Sequence, residues 1–304
     1  GEEEPKQQRP VLKMLRTRVL LFFLATVFNA WAAVSDIGSK SSEGTLTSKA
    51  FAIVIPFYRG HVSLIKQDLA EWNTDDYWPC RKGERYGPET DLIFHYLETL
   101  ADEPEIEREI RNALQEENST SAIPMCFRNV YFHSAGLHNE TAKYPRGVTI
   151  RFYTLSQNVW LAEQYSYYFL MDSDVLPIRR DWLDEIRRLA FMSDPFWAMG
   201  TLDRASHTMP YWWLTLNGNA IFSTDKAFRD YVMTVYRHYT GGYTFDVALI
   251  HYLKDQNWPL MQEVFPNFVY HDFIQHYSKI PWSLKLMRDR FPRTYFVHGD
   301  VRYS

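Results

Sequence analysis

From residue 50 onward, uncharged runs alternate with stretches whose apolar positions recur at helical spacing. Ala50 to Pro56 (AFAIVIP) is continuously apolar and closed by proline, which predicts a buried first strand. Val62, Ile65, Leu69 and Trp72 then predict a helix over His61 to Trp72. Asn73 to Thr90, with Asp75, Asp76, Pro79, Gly83, Gly87 and Pro88, reads as a long loop. Leu92 to Leu97 reads as strand or helix with little to separate them. Ile106, Ile110 and Leu114 form one stripe of an acidic helix from Glu103 to near Glu117, its charges a solvated face. Asn129 to Ala135 alternates like a strand, and a helix is expected from about Thr149 to Glu163.

The stretch that stands out is Tyr167-Tyr168-Phe169-Leu170-Met171, which runs straight into Asp172-Ser173-Asp174-Val175. Uncharged aromatic and aliphatic residues predict a strand buried on both faces, with the acids just past its carboxyl end. A helix over Arg179 to Met192 and a strand over Phe196 to Leu202 follow. After them come a segment around Asn217-Gly218-Asn219, helices at Asp225 to His238 and Phe245 to Leu253, and late strands at Glu263 to Val269 and Thr294 to His298. This alternation predicts an α/β fold with a central sheet flanked by helices, in one domain over residues 50–304.

The amino end has a different pattern. Lys6, Arg9, Lys13, Arg16 and Arg18 lie in a basic tail (residues 1–18), followed by the uncharged run Val19 to Val34. As a helix that run would span roughly 24 Å against the ~30 Å hydrocarbon core. It reads as a transmembrane signal anchor with the positive flank in the cytosol. The rival reading is a cleaved signal peptide ending at Ala30-Trp31-Ala32. Residues 35–49 are rich in Ser, Gly, Thr and Lys and read as a stem. Either reading sends the bulk of the chain into the secretory pathway. There Asn118-Ser119-Thr120 and Asn139-Glu140-Thr141 are glycosylation sequons, and Cys80 and Cys126 either pair or stay as free thiols.

Composition narrows the function classes. The 304 residues carry a net charge of −4 with no long basic run, which gives no support for a nucleic-acid partner. No P-loop, dinucleotide fingerprint or nucleophile-elbow motif occurs. The two acids at i and i+2 suit a hard divalent cation carrying a diphosphate; the plain alternative is an acidic turn.

An amino-terminal anchor, a stem, an α/β domain and an apolar strand ending in Asp172-Ser173-Asp174 together resemble a Golgi-type, type II membrane glycosyltransferase of the GT-A fold. The resemblance implies a GT-A-like (Rossmann-like nucleotide-diphospho-sugar transferase) domain with a mixed sheet. It also implies transfer of a sugar from a nucleotide donor, with a UDP-sugar expected, to a glycan or glycoconjugate hydroxyl, with Mn²⁺ or Mg²⁺ as cofactor. Asp174 would touch the metal, and Asp172 the ribose or the metal through water. His298, in Phe296-Val297-His298-Gly299, would be the third ligand, with His271 and His276 as competitors. The loop from Pro56 to Arg59 would meet the base and ribose, with Tyr58 stacking on the base and Arg59 pairing with a phosphate; Ser173 would sit among the donor contacts, and Lys143, Tyr144, Arg146 and Gly147 would approach the donor sugar. Asp203, Arg204, Trp212, Trp213, Asn217, Gly218 and Asn219 would line the acceptor side. Asp246 would be the general base if the enzyme inverts. Two other classes compete: a non-catalytic carbohydrate-binding protein on the same scaffold, and a metal-dependent phosphodiesterase.

Overall fold

The structure, a computed structural model, describes residues 50–81, 89–98, 103–115, 123–137, 146–202, 215–239, 243–256, 258–277, 281–299 and 302–303. These belong to one unit spanning Ser48–Ser304. The expected tail, anchor and stem lie outside the described residues. So do both sequons, Lys143, Tyr144, Asp203, Arg204, Trp212 and Trp213. Among the described residues, no helix is long and apolar enough to cross a membrane.

Strand β1 (Ala50–Phe57) leads through a 3-10 turn at Arg59–His61 into helix α1 (Val62–Trp72). Next come β2 (Thr90–Glu98), α2 (Glu103–Leu114) and β3 (Val130–Leu137). The ambiguous segment at Leu92 is therefore a strand. The first strand runs one residue beyond Pro56, because Phe57 is buried edge-on against Phe94 and Tyr96. The single helix expected after residue 149 is two, α3 (Arg146–Ser156) and α4 (Val159–Gln164). The break has a local cause: Asn158 is extended, and its Oδ1 accepts the Leu161 N–H at 3.0 Å as the cap of α4.

Strand β4 (Tyr165–Leu170) is followed by β5 (Val175–Pro177), α5 (Trp182–Met192), β6 (Ala198–Gly200), β7 (Ile221–Ser223), α6 (Lys226–His238) and α7 (Phe245–Gln256). The strand expected over Glu263 to Val269 is mostly wrong. Helix α8 (Trp258–Val264) and a 3-10 turn at Phe265–Asn267 occupy it, and only β8 (Phe268–Tyr270) is extended. Pro259 and Pro266 explain this, since each stands in the first turn of a helical segment, where its missing N–H costs nothing. The chain closes with β9 (Ile274–His276), β10 (Trp282–Ser283), α9 (Leu284–Arg290), β11 (Phe296–His298) and β12 (Arg302–Tyr303).

The main sheet has the order β3-β2-β1-β4-β7-β6-β8. Strands β3, β2, β1 and β4 are mutually parallel, β7 is antiparallel to β4 and β6, and β8 is parallel to β6, so the sheet is mixed. Strand alternation splits the core in two. Phe51, Ile53 and Ile55 face one cluster covered by Ile65 and Trp72 of α1, Ile110 of α2 and Ile186 of α5. Ala50, Ala52 and Val54 face the other, covered by Phe152 of α3, Leu161 of α4, Val232 of α6 and Leu249 of α7.

Two tethers hold the sheet's amino-terminal side. Asp91 is fully buried and accepts from Arg128 Nε (3.0 Å) and NH2 (2.5 Å), from the Asn129 backbone and side chain, and from the Tyr165 hydroxyl (2.7 Å). Cys80 and Cys126 form a disulfide, which decides the alternative left open by the sequence.

Candidate metal and donor site

Chain order in the sheet fixes where a ligand can enter. From β1 the chain moves outward to β2 and β3, then returns to place β4 on the other side of β1. The carboxyl ends of β1 and β4 therefore form a topological switch point, the standard ligand position in open α/β sheets. The loop after β1 carries Tyr58, Arg59 and His61; the loop after β4 carries Asp172, Ser173 and Asp174. They are tied together by Ser173 Oγ and His61 Nδ1, 2.8 Å apart.

The acidic turn is held by backbone bonds. Met171 N–H donates to Val54 O (2.9 Å), and Val175 N–H donates to Asp172 O (3.0 Å), closing a turn around Ser173. Asp172 Oδ1 accepts from Arg151 NH2 at 3.2 Å. Arg151 lies on the buried stripe of α3, where burial drives its guanidinium below the usual arginine range against the opposing pull of Asp172. On the other side Asn219 Oδ1 accepts the Asp172 N–H at 2.7 Å.

The third member comes from the small sheet β5-β11-β9. Strand β11 pairs antiparallel with β5 and parallel with β9, bringing His298 opposite both Val175 and His276. Asp174 precedes Val175, so its Oδ2 lies 3.1 Å from His298 Nε2. One ligand atom from each of Asp172, Asp174 and His298 lies within 4.8 Å of the others. Burial pushes the Asp174 carboxyl up, but the hydrogen bond and charge of His298 outweigh it and hold the group below its ordinary value. His61 is shifted down by burial, although Asp172 and Asp174 pull the other way.

Two carboxylates and an imidazole converging in this way can hold a divalent cation. Of the competing histidines, His276 stands directly behind His298, with the Nδ1 atoms 2.6 Å apart. His271 is elsewhere: its Nδ1 accepts the Phe273 N–H (3.0 Å) and its ring lies beside Asp272.

The remaining expected site residues divide. Tyr58 is 44% exposed with its ring 3.8 Å from that of His61, whereas Pro56 is buried inside β1. Asn217 and Asn219, expected to meet an acceptor, are buried and spend their amides on each other, on His276 and on His298. Gly218 is required by close packing, since a Cβ there would stand 2.8 Å from the Phe245 ring. Asp246 lies in the first turn of α7, where its Oδ1 accepts the Val247 N–H (3.0 Å) and its charge acts on the Tyr153 phenol. Sequence reading passed over Arg151 and His61. The signal for Arg151 was a lone cation beside Phe152 on the apolar stripe of a helix; for His61 it was position, just past the first strand.

No family model and no curated protein matches this sequence. Solved structures similar to the chain include the WbbM bifunctional glycosyltransferase in its apo form, at 11% identity and TM-score 0.47, over 85% of this chain and 47% of that one. The glycosyltransferase GlyE of Streptococcus pneumoniae aligns at 10% identity and TM-score 0.42, over 74% of this chain and 46% of its own. A glycosyltransferase involved in the glycosylation of the major capsid of PBCV-1 aligns at 11% identity and TM-score 0.42, over 82% and 92%. The chain thus spans about half the length of the first two.

Proposed function

We propose that this protein is a metal-dependent glycosyltransferase that moves a sugar from a nucleotide-diphosphate donor, a UDP-sugar, to a glycan or glycoconjugate hydroxyl. The observation that carries this reading is the meeting of Asp172, Asp174 and His298 beyond the carboxyl end of β4, beside β1. A divalent ion held there would supply charge neutralisation to the diphosphate as the glycosidic bond breaks.

The chain's own residues do the rest. Asp174 immediately precedes β5 and His298 ends β11, its partner in the small sheet, so their separation is set by strand pairing and not by flexible loops. Arg151 holds Asp172 by one oxygen and leaves the other for the cation or ribose. His61 and Ser173 lock the two loops, and Tyr58 offers its exposed ring to a base. Asp246 takes the acceptor hydroxyl's proton if the reaction inverts. The Cys80–Cys126 disulfide fits an oxidising lumen, in keeping with an anchored protein of the Golgi or endoplasmic reticulum.

The test is UDP-sugar hydrolysis and transfer measured with Mn²⁺ on wild type, Asp174→Ala and Asp246→Asn. The expected result is metal-dependent turnover in wild type and its loss in Asp174→Ala. A wild type that binds glycans but turns over no donor across a broad panel would instead make it a carbohydrate-binding protein. Retention of full activity by Asp174→Ala would remove the metal reading.

A further inference from the structure

The amides behind His298 cannot be turned round. Asn219 Oδ1 is committed to the Asp172 N–H (2.7 Å), so its Nδ2 faces His298 Nδ1 at 3.1 Å. Asn217 Oδ1 is committed to the Asn219 N–H (3.0 Å) and Nδ2 (3.2 Å), so its own Nδ2 faces His276 Nδ1 at 3.1 Å. The two imidazoles are themselves held opposite each other by the pairing of β9 with β11. Their Nδ1 atoms stand 2.6 Å apart, which requires a hydrogen on one and a lone pair on the other.

Two arrangements satisfy this. With the hydrogen on His276 Nδ1, His298 Nδ1 accepts from His276, the Asn217 amide faces an N–H in place of a lone pair, and His298 Nε2–H donates to Asp174 Oδ2 across the 3.1 Å contact. With the hydrogen on His298 Nδ1, His276 Nδ1 accepts from His298, the Asn219 amide faces an N–H in place of a lone pair, and His298 turns the lone pair of Nε2 toward the two aspartates. The two arrangements differ in which nitrogen of each ring carries the hydrogen of the shared contact. The second arrangement is the one in which an imidazole binds a cation, its far N–H anchored to an acceptor.

We propose that His276 is the positioning residue of the metal site: it accepts the Nδ1–H of His298 and so aims the Nε2 lone pair at a cation shared with Asp172 and Asp174. This rests on the metal reading given above and adds a residue that does not itself touch the ion. Two features distinguish it from packing. The partner must be an acceptor at that point, and it must be held at fixed height beside His298, which the strand register provides.

The experiment titrates Mn²⁺ into the full chain, with free Mn²⁺ followed by electron paramagnetic resonance and folding by circular dichroism. Wild type, His276→Phe, His276→Gln and His298→Ala are compared. Binding by wild type should weaken about 10–100-fold in His276→Phe, and at least as far in His298→Ala. His276→Gln, whose amide oxygen accepts a hydrogen bond, should recover most of the loss. Equal affinity in wild type and His276→Phe overturns the proposal, as does a Gln variant as weak as the Phe variant. Wild type and His298→Ala binding alike, or wild type binding no Mn²⁺, removes the metal reading itself. Should His276→Phe fail to fold, ¹⁵N shifts of the histidine rings in wild type decide: with Mg²⁺ added, His298 should show a protonated Nδ1 and a bare Nε2. The reverse tautomer overturns the proposal.

Discussion

Asp174 and His298 are 124 positions apart in the chain, yet Asp174 Oδ2 and His298 Nε2 lie 3.1 Å from each other. Neither residue reaches the other by a long flexible excursion. Asp174 sits one residue before β5, and His298 ends β11, the strand antiparallel to it, so the contact follows from register. Everything that braces the pair, from Asn219 to His276, is likewise anchored in a strand or in the turn leading to one.

Arg151→Met should separate function from stability. The guanidinium is disfavoured by burial, and its partner Asp172 keeps a third of its side chain in solvent. Losing the cation therefore costs little folding energy, about 1 kcal/mol or less, since the carboxylate left behind reaches water. Metal-dependent turnover should fall by about tenfold or more, because an Arg–carboxylate hydrogen bond worth over 1.4 kcal/mol no longer orients Asp172. Urea unfolding alongside donor hydrolysis checks both halves.

Asp68 gives the protein a pH-dependent stability of unusual sign for a carboxylate. It is 7% exposed on α1, and burial, reinforced by Glu71 and Asp174, raises it from 3.8 to about 8. The folded state therefore holds a proton that the unfolded chain has released, and the contribution is full below the unfolded value and lost as pH rises through the folded one. Stability measured in chelator should decline from pH 4 to 8 with a slope approaching about 1.4 kcal/mol per pH unit from this group. Asp68→Asn should flatten that limb and be the more stable protein at pH 8. A wild type and variant with parallel profiles would mean that the group titrates normally.

Asp91→Ala should be among the most damaging single changes. Its carboxylate accepts from Arg128, Asn129 and Tyr165 with no solvent exposure. Removing it strands a half-buried guanidinium and a buried phenol, at a cost of about 3–5 kcal/mol. Chemical denaturation should show the midpoint falling with no change in slope.

Reduction should loosen the region joining α1 to β3. The disulfide closes a separation of 46 residues, which by chain entropy amounts to about 4 kcal/mol at 25 °C. Thermal melts with and without reductant, on wild type and on Cys80→Ser with Cys126→Ser, should show reductant lowering the midpoint of wild type alone.

Much of the fold was legible in the sequence because burial leaves a periodic trace. The apolar runs of β1 and β4 and the stripes of α1, α2 and α5 read correctly, since each buries its apolar positions against a neighbour at its own repeat. The acids at the end of β4 were legible for the converse reason, as a charge cannot follow so apolar a strand unless the strand stops. Where local chemistry competed with pattern, reading failed: Asn158 broke a helix by capping the next one, and prolines turned an expected strand helical. What no periodicity records is which distant residues meet. The order β2-β1-β4 sets the carboxyl ends of β1 and β4 side by side, the β5-β11-β9 sheet delivers His298 and His276, and buried packing turns Arg151 toward Asp172. Sequence determined the elements and the acids, because these depend on burial and charge along the chain. Tertiary structure decided the site, because strand pairing between residues a hundred positions apart is a long-range choice that local physics does not encode.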